Sequence, residues 1–304
     1  MSAGAPWVAI QRNPKSGSGG ARRELLDLIV HLRKFGFHPR VFTRRERLAA
    51  ALADPIRRKS LYCIVSAGGD GTFRDLVNRY PGVRLALFPM GTENLVAQFL
   101  KITQNGQRVA EIIAAGHVTR FDLGLIGDQR FAVMASVGFD ADIMHRAHAR
   151  RKGHISRWSY LQPIAESLRM YAYPEIRVFV NQQPVAATCR MAVLVNFPAY
   201  ALGLTFARRA RGDDGLFDVR LLERGTAFQM WRYFLNLVCG RLEKLPDVKS
   251  VTATHVRWES DVPVPIQVDG DPAGWTPAEF SILPGAVEIL VPQSQATERI
   301  ERQP

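Results

Sequence analysis

The sequence predicts two domains of different fold class, an α/β domain with a parallel sheet and then a mostly antiparallel β domain. The chain has 304 residues, enough for two domains of roughly 150 residues each. Strand-like and helix-like segments alternate up to about residue 118, which indicates parallel strands covered by helices. Strand-like runs dominate after that point. The predicted domains are therefore residues 1–118 and 119–284, and residues 285–304 are predicted to return to the first domain.

The elements of the first domain follow from apolar spacing. Leu25, Leu28, Ile29 and Leu32 recur at helical spacing, and Gly36 marks the end of that helix. Apolar runs predict four strands, and helical spacing between them predicts two further helices. The strands are Val8–Gln11, Arg40–Thr43, Leu61–Ser66 and Arg84–Phe88, and the helices are Leu48–Ala53 and Phe73–Asn78.

The second domain is predicted from short apolar runs with two helical segments among them. The runs are Arg130–Val137, Ile176–Val180, Met191–Asn196, Phe217–Leu222, Val251–Trp258 and Ile266–Val268. The helical segments are Ile155–Tyr171 and Ala227–Gly240. A last run, Val287–Val291, is predicted to join the sheet of the first domain.

Charge and composition narrow the class of partner. The chain has 40 Lys and Arg against 28 Asp and Glu, a formal net charge of +12, which favours anionic partners such as nucleic acid, acidic lipid or phosphorylated substrates. No zinc pattern and no basic motif interleaved with aromatic residues supports specific nucleic-acid binding. The three cysteines lack C-x-x-C spacing, so a reducing compartment is expected.

The sequence also predicts a cytoplasmic protein whose membrane contact is peripheral. The N-terminus lacks the basic start and apolar stretch of a signal peptide. The longest apolar stretch, Met191–Phe206, contains Asn196 and Pro198 and is shorter than the ~20 residues that span a bilayer.

The segment Ile64–Thr72 passes from a predicted strand through three glycines into a predicted helix. The glycines are Gly68, Gly69 and Gly71. They are expected to take positive φ angles and to let backbone N–H groups at the helix start approach an anion. Thr72 is expected to cap that helix or to bind a phosphate oxygen. Asp70 would repel phosphate unless a cation bridges the two, so it points to Mg²⁺.

Two more loops follow predicted strands, Asn13–Gly20 and Pro89–Asn94. Ligands of open α/β sheets bind beyond the carboxyl ends of the strands, so the three loops together predict a nucleotide site. Neither the Walker A spacing nor the dinucleotide G-x-G-x-x-G pattern is present, which excludes P-loop NTPases and Rossmann dehydrogenases.

The order of these motifs resembles the diacylglycerol kinase catalytic family, which includes sphingosine kinases and bacterial lipid kinases. Motifs match along nearly the whole chain. They are Asn13–Pro14 with the glycines after it, Gly68–Thr72, Gly91–Asn94, Ser136–Ala141, Asp213–Asp218 and Val268–Asp271. The resemblance implies an α/β nucleotide domain followed by a β-sandwich, ATP bound between them, and phosphoryl transfer to a lipid hydroxyl, most simply that of diacylglycerol.

The resemblance also implies roles for residues. The ATP site would be formed by Asn13, Thr43, Gly68, Gly69, Asp70, Gly71, Thr72, Gly91, Thr92 and Asn94. Asp269 would accept the proton of the lipid hydroxyl, and Asp70 and Asp271 would orient Mg²⁺ and water at the phosphates. A second, structural Mg²⁺ would bind Asp214 and the carbonyl of Leu216, with the carbonyl of Arg211 as a weaker ligand.

Two residues depart from the family pattern: Glu93, and Asp271 where most members have Glu. They leave open a lipid- or nucleotide-binding pseudokinase as an alternative, and the shared Gly-Gly-Asp-Gly-Thr loop leaves open an NAD kinase. Oligomeric state, including a homodimer, is undetermined by the sequence.

Membrane contact is predicted at basic surfaces. The densest basic stretch includes Arg150, Arg151 and Lys152, and a second contains Arg208, Arg209 and Arg211. The apolar loop 197–204 is a predicted surface for acyl chains. An anionic leaflet attracts each basic residue by about 1 kcal/mol, so either stretch could recruit the protein to the inner face of the membrane.

Overall fold

The computed structural model describes residues 6–14, 16–17, 19–150, 157–184, 188–198 and 203–295. The chain divides into two compact units. One runs up to Phe121 and resumes at Gly285, and the other is Asp122–Pro284. Among the described residues, none of the helices has both the length and the hydropathy required to cross a bilayer.

The first unit alternates strands and helices, as predicted. Its elements are β1 (Trp7–Arg12), α1 (Gly19–Lys34), β2 (His38–Phe42), α2 (Arg45–Ala53), α3 (Pro55–Lys59), β3 (Leu61–Gly68), α4 (Asp70–Arg79), β4 (Leu85–Pro89), α5 (Leu95–Phe99) and α6 (Gly106–Ala115). The four predicted strands and the helices α1, α2 and α4 are confirmed. Helices α3 and α5 have five residues each, too few to show an apolar period.

The remaining elements are β5 (Val118–Ile126), β6 (Gln129–Phe131), β7 (Met134–Gly138), α7 (Phe139–Ala149), α8 (Leu161–Met170), β8 (Arg177–Val180), β9 (Gln183–Pro184), β10 (Met191–Val195), β11 (Phe217–Leu222), α9 (Ala227–Val238), β12 (Val248–Ala253), β13 (His255–Glu259), β14 (Pro265–Val268), β15 (Asp271–Trp275) and β16 (Ala278–Leu290). Short 3-10 turns cover Arg157–Tyr160 and Leu242–Lys244. Helix α7 was not predicted.

The sheet of the first unit has the order β2–β1–β3–β4–β16, with parallel pairing at each step. Strand β4 is buried throughout and β3 over most of its length, which matches the near-continuous apolar runs of parallel strands covered on both faces. Because β2 lies on one side of β1 while β3 lies on the other, the direction of winding reverses between β1 and β3. Ligands of open α/β sheets bind at that reversal.

The second unit packs two antiparallel sheets face to face. One sheet has the order β12–β11–β10–β7–β14–β15, and in the other β13 pairs with both β8 and the first half of β16. Phe131, Val137, Leu194, Trp258 and Phe280 are fully buried in the core that the two sheets share. The predicted antiparallel β domain is confirmed.

Two predicted strands are each two strands in the structure. The segment Arg130–Val137 is interrupted because Ala132 and Val133 donate their N–H groups to a side chain instead of a neighbouring strand. The segment Val251–Trp258 is interrupted at Thr254, whose N–H and hydroxyl both donate to Asn181 Oδ1. In both places a side-chain acceptor replaces a ladder hydrogen bond, and apolar patterning does not report this.

Strand β16 belongs to both units. Its residues Ala278–Ser281 pair with β13 in the second unit, and Ile289 pairs in parallel with Leu85 of β4 in the first. Two residues further on, the N–H of Val291 donates to the carbonyl of His117 at 2.9 Å. The end of the chain thereby supplies an interior strand to the first unit.

Candidate functional site

Three loops leave the carboxyl ends of β1, β3 and β4 side by side. The N–H of Asn13 donates to the carbonyl of Ala67 at 3.0 Å, and that of Met90 donates to the carbonyl of Gly68 at 2.9 Å. The loops after β1 and β3 lie on either side of the point where the winding reverses. The loop after β4 lies next to the loop after β3. The loops therefore lie where an open α/β sheet binds its ligand.

Three glycines of these loops, Gly68, Gly69 and Gly91, have little or no space for a side chain. A Cβ on Gly91 would lie 2.6 Å from the Cα of Gly69, and a Cβ on Gly68 would lie 2.2 Å from Thr72 Oγ1. The expectation of positive φ angles is wrong for Gly68, Gly69 and Gly71, none of which has one. Gly69 is extended, with φ of −98° and ψ of −168°. Contact with Thr72 explains the glycine at 68, and backbone-to-backbone contact between two loops explains those at 69 and 91.

Asp70 joins the second loop to the third. Its Oδ2 accepts the N–H of Leu95 at 3.0 Å and its Oδ1 accepts the N–H of Val96 at 3.2 Å, so the carboxylate lies against the first turn of α5. A negative charge is favourable there because the first N–H groups of a helix lack backbone partners. This contact explains why a carboxylate can lie in a loop predicted to bind an anion, even if no cation bridges the two. The Mg²⁺ role of Asp70 stays a prediction.

Asn94 holds the third loop closed. It has left-handed backbone angles, φ of 52° and ψ of 50°, and its side chain accepts the N–H of Gly91 and donates to the carbonyl of the same residue, both at 2.8 Å. Asparagine tolerates this conformation better than most residues. Asn94 therefore shapes the loop, and its place in an ATP site stays a prediction.

The remaining predicted ATP contacts differ in exposure. Thr43 and Thr92 are exposed, Asn13 is partly buried, and Thr72 is buried. The capping role expected for Thr72 is wrong, because Gly69 is the N-cap of α4 and Thr72 is the third residue inside the helix. A phosphate contact of Thr72 stays a prediction.

In the second unit, Asp269 is held by backbone donors. Its Oδ2 accepts the N–H of Ala132 at 2.8 Å, and its Oδ1 accepts those of Val133 and Met134 at 2.8 and 3.1 Å. Asp269 has φ of 47° at the turn after β14. The residue predicted as the general base thus ties that turn to the segment between β6 and β7.

Asp271, two residues further, has a different environment. Its side chain is 34% exposed, and its Oδ1 lies 3.7 Å from Nδ1 of His148, which projects from α7 and is 50% exposed. Asp271 is therefore a half-buried carboxylate beside a titratable partner.

A buried polar network fixes the turn that carries both aspartates. Ser136 donates to Asp140 Oδ2 at 2.5 Å, and Gln267 Nε2 donates to Ser136 Oγ at 2.9 Å and to the same Asp140 oxygen at 3.1 Å. The Gln267 Oε1 accepts the N–H of Gly270 at 2.8 Å. Sequence reasoning noted the Ser136–Ala141 motif as a match but missed that it supports the Asp269 turn.

The predicted metal element contains a crowded carboxylate. Partial burial raises the pKa of Asp214, and the nearby carboxylates of Asp122, Asp218 and Asp213 raise it further. The N–H of Leu216, which donates to Asp214 Oδ1, lowers the pKa and offsets part of this rise. Asp122 is buried and accepts the N–H of Gly215 at 2.7 Å. Sequence reasoning missed Asp122, since no local motif surrounds it.

The donor set for a cation is sparse in the described part of the chain. There, no three His, Cys, Asp or Glu side chains come together as a metal cluster. The Arg211 guanidinium lies 3.3 Å from Asp213. A cation at Asp214 would therefore depend on one carboxylate, backbone carbonyls such as that of Leu216, and water, a donor set that Mg²⁺ accepts.

The predicted membrane surfaces are only partly described. Arg150 pairs with Glu166, with Nη2 2.6 Å from Oε2, and Arg208 and Arg209 are exposed. Arg151 and Lys152 lie outside the described residues, as does the middle of the apolar loop 197–204.

Family models match most of the chain. The model described as "Diacylglycerol kinase catalytic domain" matches residues 8–126, and the model described as "YegS C-terminal NAD kinase beta sandwich-like domain" matches residues 133–291. The first match contains the three loops and the second contains the Asp214 element and the Asp269 turn.

Whole-chain comparisons agree. The chain is 28% identical over 300 residues to the diacylglycerol kinase of Mycobacterium tuberculosis, with 94% of this chain and 95% of that protein covered. It is 24% identical over 293 residues to the diacylglycerol kinase of Staphylococcus haemolyticus, with 95% and 89% covered.

A solved structure shows the same fold. The crystal structure of a diacylglycerol kinase from Bacillus anthracis superposes with a TM-score of 0.71 at 17% identity, covering 95% of this chain and 98% of that chain. With both family models matched in order and the loops and turn of each motif in place, the chain belongs to the diacylglycerol kinase catalytic-domain family.

Proposed function

We propose that this protein is an ATP- and Mg²⁺-dependent lipid kinase that transfers the γ-phosphate of ATP to the hydroxyl of diacylglycerol. The observation that supports ATP binding is the contact between Gly69 and Gly91, where two loops meet backbone to backbone at the carboxyl edge of the parallel sheet. Helix α4 also begins there, and the first N–H groups of a helix are suitable donors to phosphate oxygens.

We assign different tasks to the two aspartates of the second unit. Both oxygens of Asp269 accept backbone N–H groups, so its main task is to hold the turn. Asp271 presents a half-buried carboxylate beside His148, and we assign it the removal of the proton from the lipid hydroxyl. The sequence-based assignment of Asp269 as the base is the competing prediction.

The Asp214 element is the proposed structural Mg²⁺ site. The Asp214 carboxylate is crowded by like charges, and a cation would relieve that repulsion. A bound Mg²⁺ would supply positive charge next to Asp214. The protein would contribute the Asp214 carboxylate and the Leu216 carbonyl, with the carbonyl of Arg211 as the weaker third ligand. Magnesium should raise the melting temperature of the wild type but not that of Asp214→Asn.

The lipid acceptor is proposed from the names of the relatives and from charge. The relatives compared above are diacylglycerol kinases, and the net charge of +12 suits a protein that works at an anionic membrane. We propose peripheral binding at the inner face of the membrane, with no specific nucleic-acid partner. Binding to vesicles should then rise with the fraction of anionic lipid and fall with salt.

The deciding experiment is transfer of labelled γ-phosphate to diacylglycerol, monoacylglycerol, sphingosine, ceramide and NAD presented in parallel. We expect label in diacylglycerol, dependent on both ATP and Mg²⁺. Label only in NAD would instead support an NAD kinase, which the description of the C-terminal family model makes the second candidate.

A protein that binds ATP but labels no acceptor would be a pseudokinase. The Asp271→Glu variant tests whether the missing Glu causes that result. It restores the family's usual side chain, whose carboxylate reaches about 1 Å further. Activity that appears only in the Glu variant would show that the wild-type site has decayed.

A further inference from the structure

Helix α9 is apolar on two faces. Its inner face buries Met230, Tyr233 and Leu237 in the second unit. Its outer face, which we call the α9 outer face, consists of Phe228, Trp231, Phe234, Leu235 and Val238. Exposed fractions there are 71% for Phe228, 51% for Trp231 and 43% for Phe234.

The α9 outer face is one continuous stripe. Its members recur every three or four residues, so they share one side of the helix. The rings of Trp231 and Phe234 stack on each other with centroids 5.7 Å apart. Large aromatic groups clustered in water on a single helix face are uncommon without a binding role.

The helix is held firmly enough to present that stripe. Arg232 donates to both oxygens of the buried Asp247, at 2.8 and 2.5 Å, and the Tyr233 hydroxyl donates to the same carboxylate at 2.7 Å. At the helix start, Thr226 accepts the N–H of Gln229 as an N-cap. The outer face is therefore a fixed feature of the surface.

Basic residues border the carboxyl end of α9. The Arg208 guanidinium lies against Gly240, where an added Cβ would be 1.7 Å from Nη2. Arg241 and Lys244 follow the helix directly and are exposed. Among the described residues, no salt bridge occupies any of these three basic side chains. Three cations next to an apolar stripe complement a surface that is negatively charged outside and apolar beneath.

We propose that the α9 outer face is the membrane-docking surface of this protein, with its aromatic residues inserted among the headgroups of an anionic bilayer. Trp and Phe favour the boundary between headgroups and acyl chains, and each basic neighbour adds about 1 kcal/mol near an anionic leaflet. The proposal deepens the proposed function, which requires access to a membrane lipid, but docking itself needs neither ATP nor catalysis.

A second copy of the chain is the other occupant to consider, and charge argues against it. A two-fold contact with the α9 helices parallel would bring Arg208, Arg241 and Lys244 of one copy close to the same residues of the other. With the helices antiparallel, these cations would meet the N-terminal end of the other copy's α9, which carries the positive end of the helix dipole. Like charges brought together at an interface oppose association.

The test is sedimentation of the intact protein with vesicles, without ATP. Trp231→Ser combined with Phe234→Ser should weaken binding to phosphatidylserine-containing vesicles at least tenfold, with an unchanged melting temperature. Leu26→Ser combined with Val30→Ser is the matched control, since these apolar residues of α1 are 59% and 48% exposed. The control should bind like the wild type.

The charge component is tested separately. Arg208→Ser with Arg241→Ser should reduce binding and flatten its salt dependence, while Arg33→Ser, an exposed position in the last turn of α1, should change neither. Phosphorylation of a short-chain diacylglycerol in free solution should be the same for wild type and the Trp231/Phe234 variant, which separates docking from catalysis.

Vesicle binding equal to wild type in the Trp231/Phe234 variant would overturn the proposal. So would a dimer, seen by sedimentation velocity, that the same substitutions convert to monomer. If the wild type docks and the variant does not, yet neither phosphorylates any lipid, then the proposed function fails while the docking surface stands.

Discussion

Asp269 and Asp271 show how two identical side chains two residues apart differ in role through their surroundings. Three backbone N–H groups surround the Asp269 carboxylate, whereas the Asp271 carboxylate lies 3.7 Å from the imidazole of His148. Replacement of the first should disturb the fold, and replacement of the second should disturb the chemistry.

The first prediction compares Asp269→Asn with Asp271→Asn. In Asp269→Asn an amide NH₂ would face a backbone N–H donor, which leaves a donor unsatisfied and should cost about 1–3 kcal/mol of unfolding free energy. Asp271→Asn should keep wild-type stability and lose about 10²–10⁴-fold in turnover, the usual contribution of a general base.

Denaturant unfolding and lipid phosphorylation, measured on both variants, decide the assignment. A stable Asp269→Asn protein without activity, together with an active Asp271→Asn protein, would return the base role to Asp269.

The second prediction uses Gly71, the loop glycine with open space around it. A Cβ there would meet no protein atom within 4 Å, so Gly71→Ala should fold with at least wild-type stability. If phosphate approaches this backbone, the same methyl group should weaken ATP binding about tenfold or more. Gly69→Ala is less informative, because its Cβ would lie 3.2 Å from the Cα of Gly91 and would push the loops apart without any ligand.

Calorimetry of ATP binding, combined with thermal unfolding, gives the answer. Unchanged affinity in a folded Gly71→Ala protein would mean that nucleotide phosphate does not approach this loop at Gly71.

At this scale the sequence located the glycine loops but gave a wrong reason for two of their glycines. Glycine was expected at Gly68 and Gly69 for backbone angles, and the structure requires it for contact with Thr72 and Gly91. A contact between residues distant in sequence leaves no local signal. The same limit hid the partners of Asp70 and Asp269, both of which are backbone groups in other segments.

Helix α9 is the element whose stability depends most clearly on pH. The hydrogen bonds from Arg232 lower the pKa of Asp247 to about 2, and the Tyr233 hydroxyl acts in the same direction. Burial raises the pKa of the Tyr233 hydroxyl to about 12, so it remains a donor at neutral pH.

The third prediction follows from the sign of that shift. A carboxylate whose pKa is lower in the folded state stabilises the fold above its unfolded pKa of about 3.9, and the contribution is lost as the pH falls towards 2. The shift corresponds to about 2 kcal/mol. Asp247→Asn should therefore be less stable than wild type by at least that amount at pH 6, and the difference should shrink between pH 4 and pH 2.

Urea unfolding of the two proteins across this range measures the difference directly. A difference that stays constant down to pH 2 would assign the stability to shape or hydrogen bonding and not to the charge of Asp247.

Elements with a long apolar period were predictable, and those set by side-chain acceptors were not. Helices α1 and α9 were recognised from spacing, since each buries a stripe of apolar residues. The breaks at Ala132–Val133 and at Thr254 depend on the carboxylate of Asp269 and the amide of Asn181, each far away in sequence. Helix α7 was missed because Asp, His and Arg are mixed among its apolar residues and leave no long apolar period.

At the scale of the whole molecule, fold class was readable because it depends on the order of elements. Alternating strands and helices followed by consecutive strands specify a parallel sheet and then an antiparallel one. The order of strands within each sheet was not readable, because it depends on which edges the helices and loops leave available.

The fourth prediction concerns β16 as the strand that completes the first unit. Ile289 is fully buried and pairs with Leu85 of β4. Ile289→Ala should cost about 2–5 kcal/mol, as large-to-small core substitutions do. Val262→Ala, at a residue 52% exposed, is the control and should be nearly neutral.

Hydrogen exchange locates the effect. Amides of β3 and β4 should exchange faster in Ile289→Ala and those of β11 should change little. Equal acceleration in both units would show that they unfold as one.

The position of β16 also governs when this protein can fold during its synthesis. Leu85 leaves the ribosome long before Ile289, by on the order of ten seconds or more at ordinary elongation rates. Until then β4 has no neighbour on that side, and β13 lacks one of its two neighbours. Because one late strand completes a sheet in each unit, the nascent chain reaches its native state only after β16 has been synthesised, and the exposed edge of β4 is where a chaperone would be needed.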